Sequence, residues 1–322
     1  MQTSPGEPPS APTSATTPDP PDAAADTDGF LLVGFDGSHG AVTAIAVAGD
    51  LLPARHARVA HLWSSPDAGS ALHRRLAPQA VTNDHLDTLV RREAAAAAHH
   101  VAAGGVALAK AAGWTADPLV RGAYNSEGVE LAHLADELHP AAIVLGSRGL
   151  GGLRELLGSV SASTVNNSPV PVLVVPLLLA QERAATVAGP VVIAHDGSDG
   201  AERARSAAAE LFPGRQHVVT HVETSGTSES PSPAAGAESD MRSADRTEYG
   251  LPPEAMTLVP DGWGPTGVAD ALAQEAAARA AGVIVVGSRG RSMLREMLLG
   301  SIARAVLHHG HRPVLVVPSV PA

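Results

Sequence analysis

The chain has 322 residues, a formal net charge of −11, 44% apolar residues, 2% aromatics and no cysteine. The acidic balance excludes a nucleic-acid groove or an anionic membrane surface as the main partner, and the missing cysteine excludes disulfides, thiolate metal sites and cysteine nucleophiles. The length suits about two domains, and with so few aromatics their cores must be built from Ala, Val and Leu.

In chain order, residues 1–28 hold seven prolines among Ser, Thr, Ala, Gly and Asp, which predicts a disordered tail. A first domain is expected over 29–177. Phe30-Leu31-Leu32-Val33 is its first strand, followed by Gly34-Phe35-Asp36-Gly37-Ser38 and a helix over 41–48. A second strand covers 59–63. A long helical region runs from about Leu72 to Ala112, interrupted near Pro78 and weakened by Gly104-Gly105. A third strand lies near Leu119-Val120, a helix spans 127–138, and the run 141–145 is a buried strand entering Gly146-Ser147-Arg148-Gly149. A helix from Ser159 and a strand over 172–175 complete the domain.

A linker over 178–189 leads to a second domain over 190–319, with strands at 191–193, 216–222 and 257–259 and a low-complexity loop near 224–250. The strand 283–286 enters Gly287-Ser288-Arg289-Gly290, and a helix follows from Ser301 to about Gly310. Strands alternating with helices mean α/β with a parallel sheet.

The two domains repeat one another. Both close on Pro-Val-Leu-Val-Val-Pro, at 171–176 and 313–318, and both carry Asp-Gly-Ser after the first strand, at 36–38 and 196–198. Those triplets are 160 residues apart (196 − 36), the Gly-Ser-Arg-Gly blocks 141 (287 − 146), and the later Gly-Ser pairs 142 (300 − 158). The second repeat is thus shorter before its glycine block, where 224–250 replaces part of the long helical region. The first repeat lacks one residue between Glu155 and Gly158.

Strand, glycine loop and helix start together offer backbone approach, free amides and a positive dipole end, a cradle for phosphate. The same glycines also suit ordinary turn and helix-contact positions. Asp36 and Asp196 suit either ligand contact or helix capping, and Arg148 and Arg289 either a phosphate clamp or a solvated loop. The adjacent histidines 99–100 and 308–309 point about 100° apart on a helix, so surface histidine is expected rather than a metal site. Trp63, Trp114 and Trp263 are expected to be packing residues. The apolar strands 171–176 and 313–318 would promote aggregation if uncovered, so they are expected to pair and join the two domains.

Two copies of G-x-x-G followed by G-S, each with Asp-Gly-Ser after strand one and a Pro-Val-Leu-Val-Val last strand, resemble the tandem-domain, ATP-binding branch of the universal stress protein family. The resemblance covers roughly 30–176 and 190–318. It implies two tandem doubly wound domains, each a five-stranded parallel sheet with helices on both faces, and a nucleotide at the carboxyl ends of the strands. By position, Gly146, Gly149, Gly158 and Ser159 would meet phosphates in the first domain, and Gly287, Ser288, Arg289, Gly290, Gly300 and Ser301 in the second. Asp36 and Asp196 match the acid near the ribose, Leu62 and Val222 the position beside adenine, and Gly34 the small residue ending strand one, with Ala194 as its counterpart.

The expected function is a non-catalytic or very slowly hydrolysing stress regulator that binds ATP, with or without Mg2+. AMP and a cyclic nucleotide stay open as ligands. The alternatives are a nucleotide-independent scaffold and, further off, a nucleotide hydrolase. A homodimer and a regulatory protein are the remaining partners considered. A cytoplasmic location is expected, because no apolar run reaches the ~18 residues of a membrane span and no signal peptide is evident.

Overall fold

The apolar runs of the sequence become short strands buried on both faces. The computed structural model describes residues 29–52, 55–123, 126–147, 157–223, 250–290 and 299–319. The expected tail at 1–28, and the low-complexity loop apart from Gly250, lie outside them. The first half runs β1 (Leu31–Gly34), α1 (His39–Leu51), β2 (His56–Trp63), α2 (Ala71–Leu76), α3 (Asn83–Ala111), β3 (Thr115–Gly122), α4 (Glu127–Leu138), β4 (Ala142–Gly146), α5 (Ser159–Asn167) and β5 (Val172–Val175). Then come α6 (Ala180–Ala188), β6 (Val191–Ala194), α7 (Asp199–Leu211), β7 (His217–Val222), β8 (Met256–Leu258), α8 (Gly264–Ala278), β9 (Val283–Gly287), α9 (Ser301–His309) and β10 (Val314–Val317).

These ten strands form one sheet in the order β3-β2-β1-β4-β5-β10-β9-β6-β7-β8. Neighbours within each half are parallel. The halves meet where β5 and β10 pair antiparallel, with Leu173 opposite Leu315 at the centre and Val172 and Val174 opposite Val316 and Val314. The two last strands therefore cover each other's apolar edge, as the sequence led one to expect. Pro118 lies in β3, the outermost strand of its half, where no further ladder needs its missing N–H.

Side chains alternate across the strands and fill one core on each face. Leu31, Val33, Val144, Leu173, Leu315 and Val285 lie under α1, α3 and α7. Leu32, Ile143, Val172, Val316 and Ile284 lie under α4, α5, α8 and α9. Both clusters run without a break across the β5–β10 seam.

Three expectations change. The helical region after β2 does break near Pro78, but α3 continues through Gly104-Gly105. A methyl on Gly105 would overlap Val59 and the Phe35 ring, so that glycine lets the helix approach the sheet instead of weakening it. The 178–189 segment carries a helix, α6, packed on α1. Trp114 is buried, its Nε1 donating to Leu52 O at 2.8 Å, but Trp263 is 86% exposed and is not a packing residue.

Behind the seam the two repeats grip one another reciprocally. Asp50-Leu51-Leu52-Pro53-Ala54-Arg55 recurs as Glu210-Leu211-Phe212-Pro213-Gly214-Arg215. Arg215 Nη2 donates to Asp50 O at 2.8 Å, and Arg55 Nη2 reaches Glu210 O at 3.4 Å. This is the exchange a two-fold interface makes, here within one chain. Arg215 also donates to Gly189 O (2.9 Å), Thr186 O (2.8 Å) and Val187 O (3.1 Å), so one guanidinium joins the carboxyl ends of α1 and α6, where a cation is favoured. Burial lowers its pKa from the ordinary guanidinium value, and Asp50 opposes that shift. Arg183 adds an ion pair to Asp50 and a hydrogen bond to Ala46 O at 3.0 Å.

Arg215→Ala leaves those carbonyls without their charged donor. It should cost about 2–3 kcal/mol, seen as a lower urea midpoint at an unchanged slope; a midpoint equal to wild type would show that the joint contributes nothing to stability.

Candidate functional site

In each half the chain leaves the central pair, β1 and β4 in the first and β6 and β9 in the second, in opposite directions, which opens a crevice at their carboxyl ends. Because β5 and β10 are antiparallel, the two carboxyl rims lie at opposite ends of the sheet.

The loop after β1 is built the same way twice. Asp36 Oδ1 accepts from the Ser38 amide at 2.9 Å, and Asp196 Oδ1 from the Ser198 amide at 3.1 Å and the Ser198 hydroxyl at 2.6 Å. These are Asx turns, with Gly37 and Gly197 at φ 79° and 80°. The helix caps are Ser38 and Ser198, each accepting from the amide three residues on, at 3.2 Å. Both carboxylates stay half-buried at the rim.

The loop after β4 or β9 rests on that first loop. A methyl on Gly146 would come within 2.6 Å of the Gly40 backbone, and one on Gly287 within 2.8 Å of Gly200 O. These two glycines are close-approach positions between strand and helix, and their partners Gly40 and Gly200 went unnoticed in the sequence although they too stand 160 residues apart (200 − 40). A methyl on Gly290 would overlap Asp196 Oδ2, so any side chain there would displace that carboxylate.

Ser147 and Ser288 extend the ladder, donating to Val175 O and Val317 O, both at 2.7 Å. Gly158 then donates to Ser147 O and Gly300 to Ser288 O, again both at 2.7 Å. The residue missing from the first repeat is thus absorbed before Gly158, and the two glycines occupy equivalent places. Their amides are engaged by the chain's own carbonyls. Among the described residues, the donors left open are those of the following turn, Ser159-Val160-Ser161 and Ser301-Ile302-Ala303.

Helices α5 and α9 start differently from α1 and α7. Each begins on a glycine with no side-chain cap and no acidic residue in its first turn, and Ser159 and Ser301 are exposed. Among the described residues, both starts therefore present unpaired amides and an unneutralised positive dipole end. Beside the second lies Arg289, half-buried rather than solvated, its Nε buried with no hydrogen-bond partner among the described residues. Gly149 and Arg148 lie outside the described residues.

Leu62 and Val222 end β2 and β7 buried, facing the α4 and α8 side. Gly34 is a packing position: a methyl there would overlap the Leu145 side chain. The second repeat has Ala194 at that place and the smaller Val286 opposite (286 − 145 = 141).

A repeated histidine also escaped the sequence reading, although a 160-residue offset (221 − 61) marks it. His61 Nδ1 donates to Phe35 O at 2.8 Å and His221 Nδ1 to His195 O at 2.9 Å, holding the first loop to the second strand. Adjacent histidines 99–100 and 308–309 are exposed as expected, but His73, His195 and His221 are buried. Two cavities of about 270 Å³ lie away from both rims, one beside Arg55 and Arg215, the other between β7, β8 and Arg279.

The model of the Universal stress protein family matches residues 31–176 and 189–318. Universal stress proteins of Mycobacterium tuberculosis and Mycobacterium bovis share 34% identity with the chain over 189 residues, covering 54% of this chain and 60% of theirs, so the match spans about 60% of the length of those relatives. A universal stress protein from Synechocystis is 57% identical over 37 residues, 12% of this chain and 34% of its own. The crystal structure of a universal stress protein from Archaeoglobus fulgidus aligns over 90% of this chain and 98% of its own, with TM-score 0.59 and 20% identity.

Gly287→Ala drives a methyl against the backbone of α7 and should destabilise by about 2 kcal/mol, read as a lower urea midpoint. An unchanged midpoint would remove the close-approach role of this glycine.

Proposed function

The chain belongs to the universal stress protein family, and from that membership we propose that it is a regulatory protein that binds ATP at the carboxyl rim of each half. The phosphates lie at the starts of α5 and α9, held by the amides of Ser159-Val160-Ser161 and Ser301-Ile302-Ala303. The loops through Gly146 and Gly287-Ser288-Arg289-Gly290 form the floor, and Gly158 and Gly300 set the height of the helix starts. Asp36 and Asp196 face the ribose, and Leu62 and Val222 stand beside the base. Mg2+ would accompany the phosphates.

One observation carries this reading. Among the described α-helices, α5, α8 and α9 start without a side-chain cap or an acidic first turn; α8 carries Pro265 there, which has no amide to offer, and the other two are those that follow the repeated glycine blocks. Left without an anion, each keeps an uncompensated positive end; an anion there gains from both the amides and the dipole. The buried Nε of Arg289 without a partner adds a cation at the second rim. We read the site as a binding site without turnover, since Asp36 and Asp196, the repeated acids at the rim, already accept backbone amides in Asx turns. The rival reading is a scaffold that needs no nucleotide, and the internal use of the Gly158 and Gly300 amides is what favours it.

Proline at the first helical position deletes one amide without disturbing a helix. Gly300 at φ −64°, ψ 153° and Gly158 at φ −58°, ψ 149° have the extended backbone that must precede it. Ser301→Pro should therefore weaken one ATP site by about tenfold or more in calorimetry at an unchanged unfolding midpoint, and Ser159→Pro the other. Wild-type protein showing no heat with millimolar ATP leaves the scaffold; equal binding by both variants and wild type places the phosphates elsewhere.

A further inference from the structure

Trp263 is 86% exposed in a chain whose aromatics are 2% of all residues. A single exposed apolar side chain is ordinary on a protein surface, so exposure by itself assigns Trp263 no role. Its place is specific. Strand β8 pairs with β7 so that Leu258 lies opposite Val222, and the Glu223 amide donates to Leu258 O at 3.0 Å. The chain then leaves the carboxyl rim of the second half through Val259-Pro260-Asp261-Gly262, and Trp263 is the residue on which α8 begins.

The loop is shaped to present that ring. Gly267 packs against the Gly262 backbone so closely that a methyl there would overlap it, and Gly264 has φ +71°. Neither position takes a side chain without strain, so the turn around Trp263 is narrow, and among the described residues nothing covers most of the indole. Helix α8 lies on the same sheet face as α9, whose start is the proposed phosphate position. Val268 and Leu272 of α8 share one core with Ala303 and Val306 of α9, and Val222 and Leu258 belong to that core as well. Trp263 thus stands on the carboxyl rim of the second half, on the sheet face that carries α9.

We infer that Trp263 is the aromatic wall of the base subsite in the second half, closing on the face of a purine whose other edge lies by Val222. This rests on the nucleotide reading given above and adds a residue that recognises the ring and not the phosphates. An aromatic platform takes the π-face of a base without needing a hydrogen-bond pattern, and its loss typically weakens binding by about tenfold per stacked base. The inference therefore separates two contributions: the helix start holds the anion, and Trp263 holds the ring.

The test is titration of the full chain with ATP and with inorganic tripolyphosphate, the same kind of anion without a base, followed by calorimetry and tryptophan emission. Wild-type emission should be quenched by ATP but not by tripolyphosphate, and Trp263→Phe should remove that quenching. Trp263→Ala should weaken one ATP site about tenfold, leave tripolyphosphate affinity unchanged and keep the wild-type urea midpoint, since the ring is exposed. If ATP binds, Ser301→Pro weakens it and Trp263→Ala does not, the base-wall inference falls and the nucleotide reading stands. A loss of tripolyphosphate affinity in Trp263→Ala would also overturn it, because the ring would then be shaping the anion site. Wild-type protein that binds neither molecule overturns both.

Discussion

Everything in this molecule is arranged by the antiparallel pairing of β5 with β10 about Leu173 and Leu315, both fully buried. A five-stranded parallel sheet ends in an edge of unsatisfied amides and carbonyls, and an apolar Val-Leu-Val-Val strand on that edge invites association with other chains. Duplication lets the chain satisfy the edge internally. The cost in chain entropy is lower than for two separate molecules, because the partner is tethered by the 178–189 segment. Once the strands pair, both cores become continuous across the seam, and the two rims are forced to opposite ends of one sheet.

The same symmetry reaches beyond the strands. Arg55 and Arg215 each cross to the carboxyl end of the other repeat's first helix, as residues at a true two-fold axis would. Covalent linkage then breaks the equivalence. Among the described residues helix α6 lies on one side only, and Arg215 takes up its carbonyls in addition. One position of a once-equivalent pair thus becomes the centre of the joint, while the reciprocal contact from Arg55 to Glu210 O is long and exposed.

Divergence between the repeats follows volume and hydrogen bonding more than residue identity. Gly34 with Leu145 became Ala194 with Val286, a redistribution of carbon across one contact. The one-residue difference in the glycine loop leaves Gly158 and Gly300 on the same 2.7 Å bonds to Ser147 and Ser288. Phe35 became His195, which stays buried while its carbonyl still accepts from the repeated strand-two histidine. The parts that carry the backbone pattern are held, and the parts that only fill space are exchanged.

From the sequence by itself came the duplication, the alternation of strand and helix, the two tandem doubly wound halves and the seam between the last strands. These are legible because buried parallel strands read as apolar runs, and because a repeat offset needs no structure to measure. The positions of the glycine blocks were legible for the same reason. Only the tertiary structure decided which amides remain open, since Gly158 and Gly300 donate to carbonyls that another loop brings to them. It decided too that Gly105 is a contact site, that Arg215 is the centre of a joint and that Trp263 stands uncovered. Each of these depends on which distant segment arrives beside a residue, and local periodicity carries no record of that.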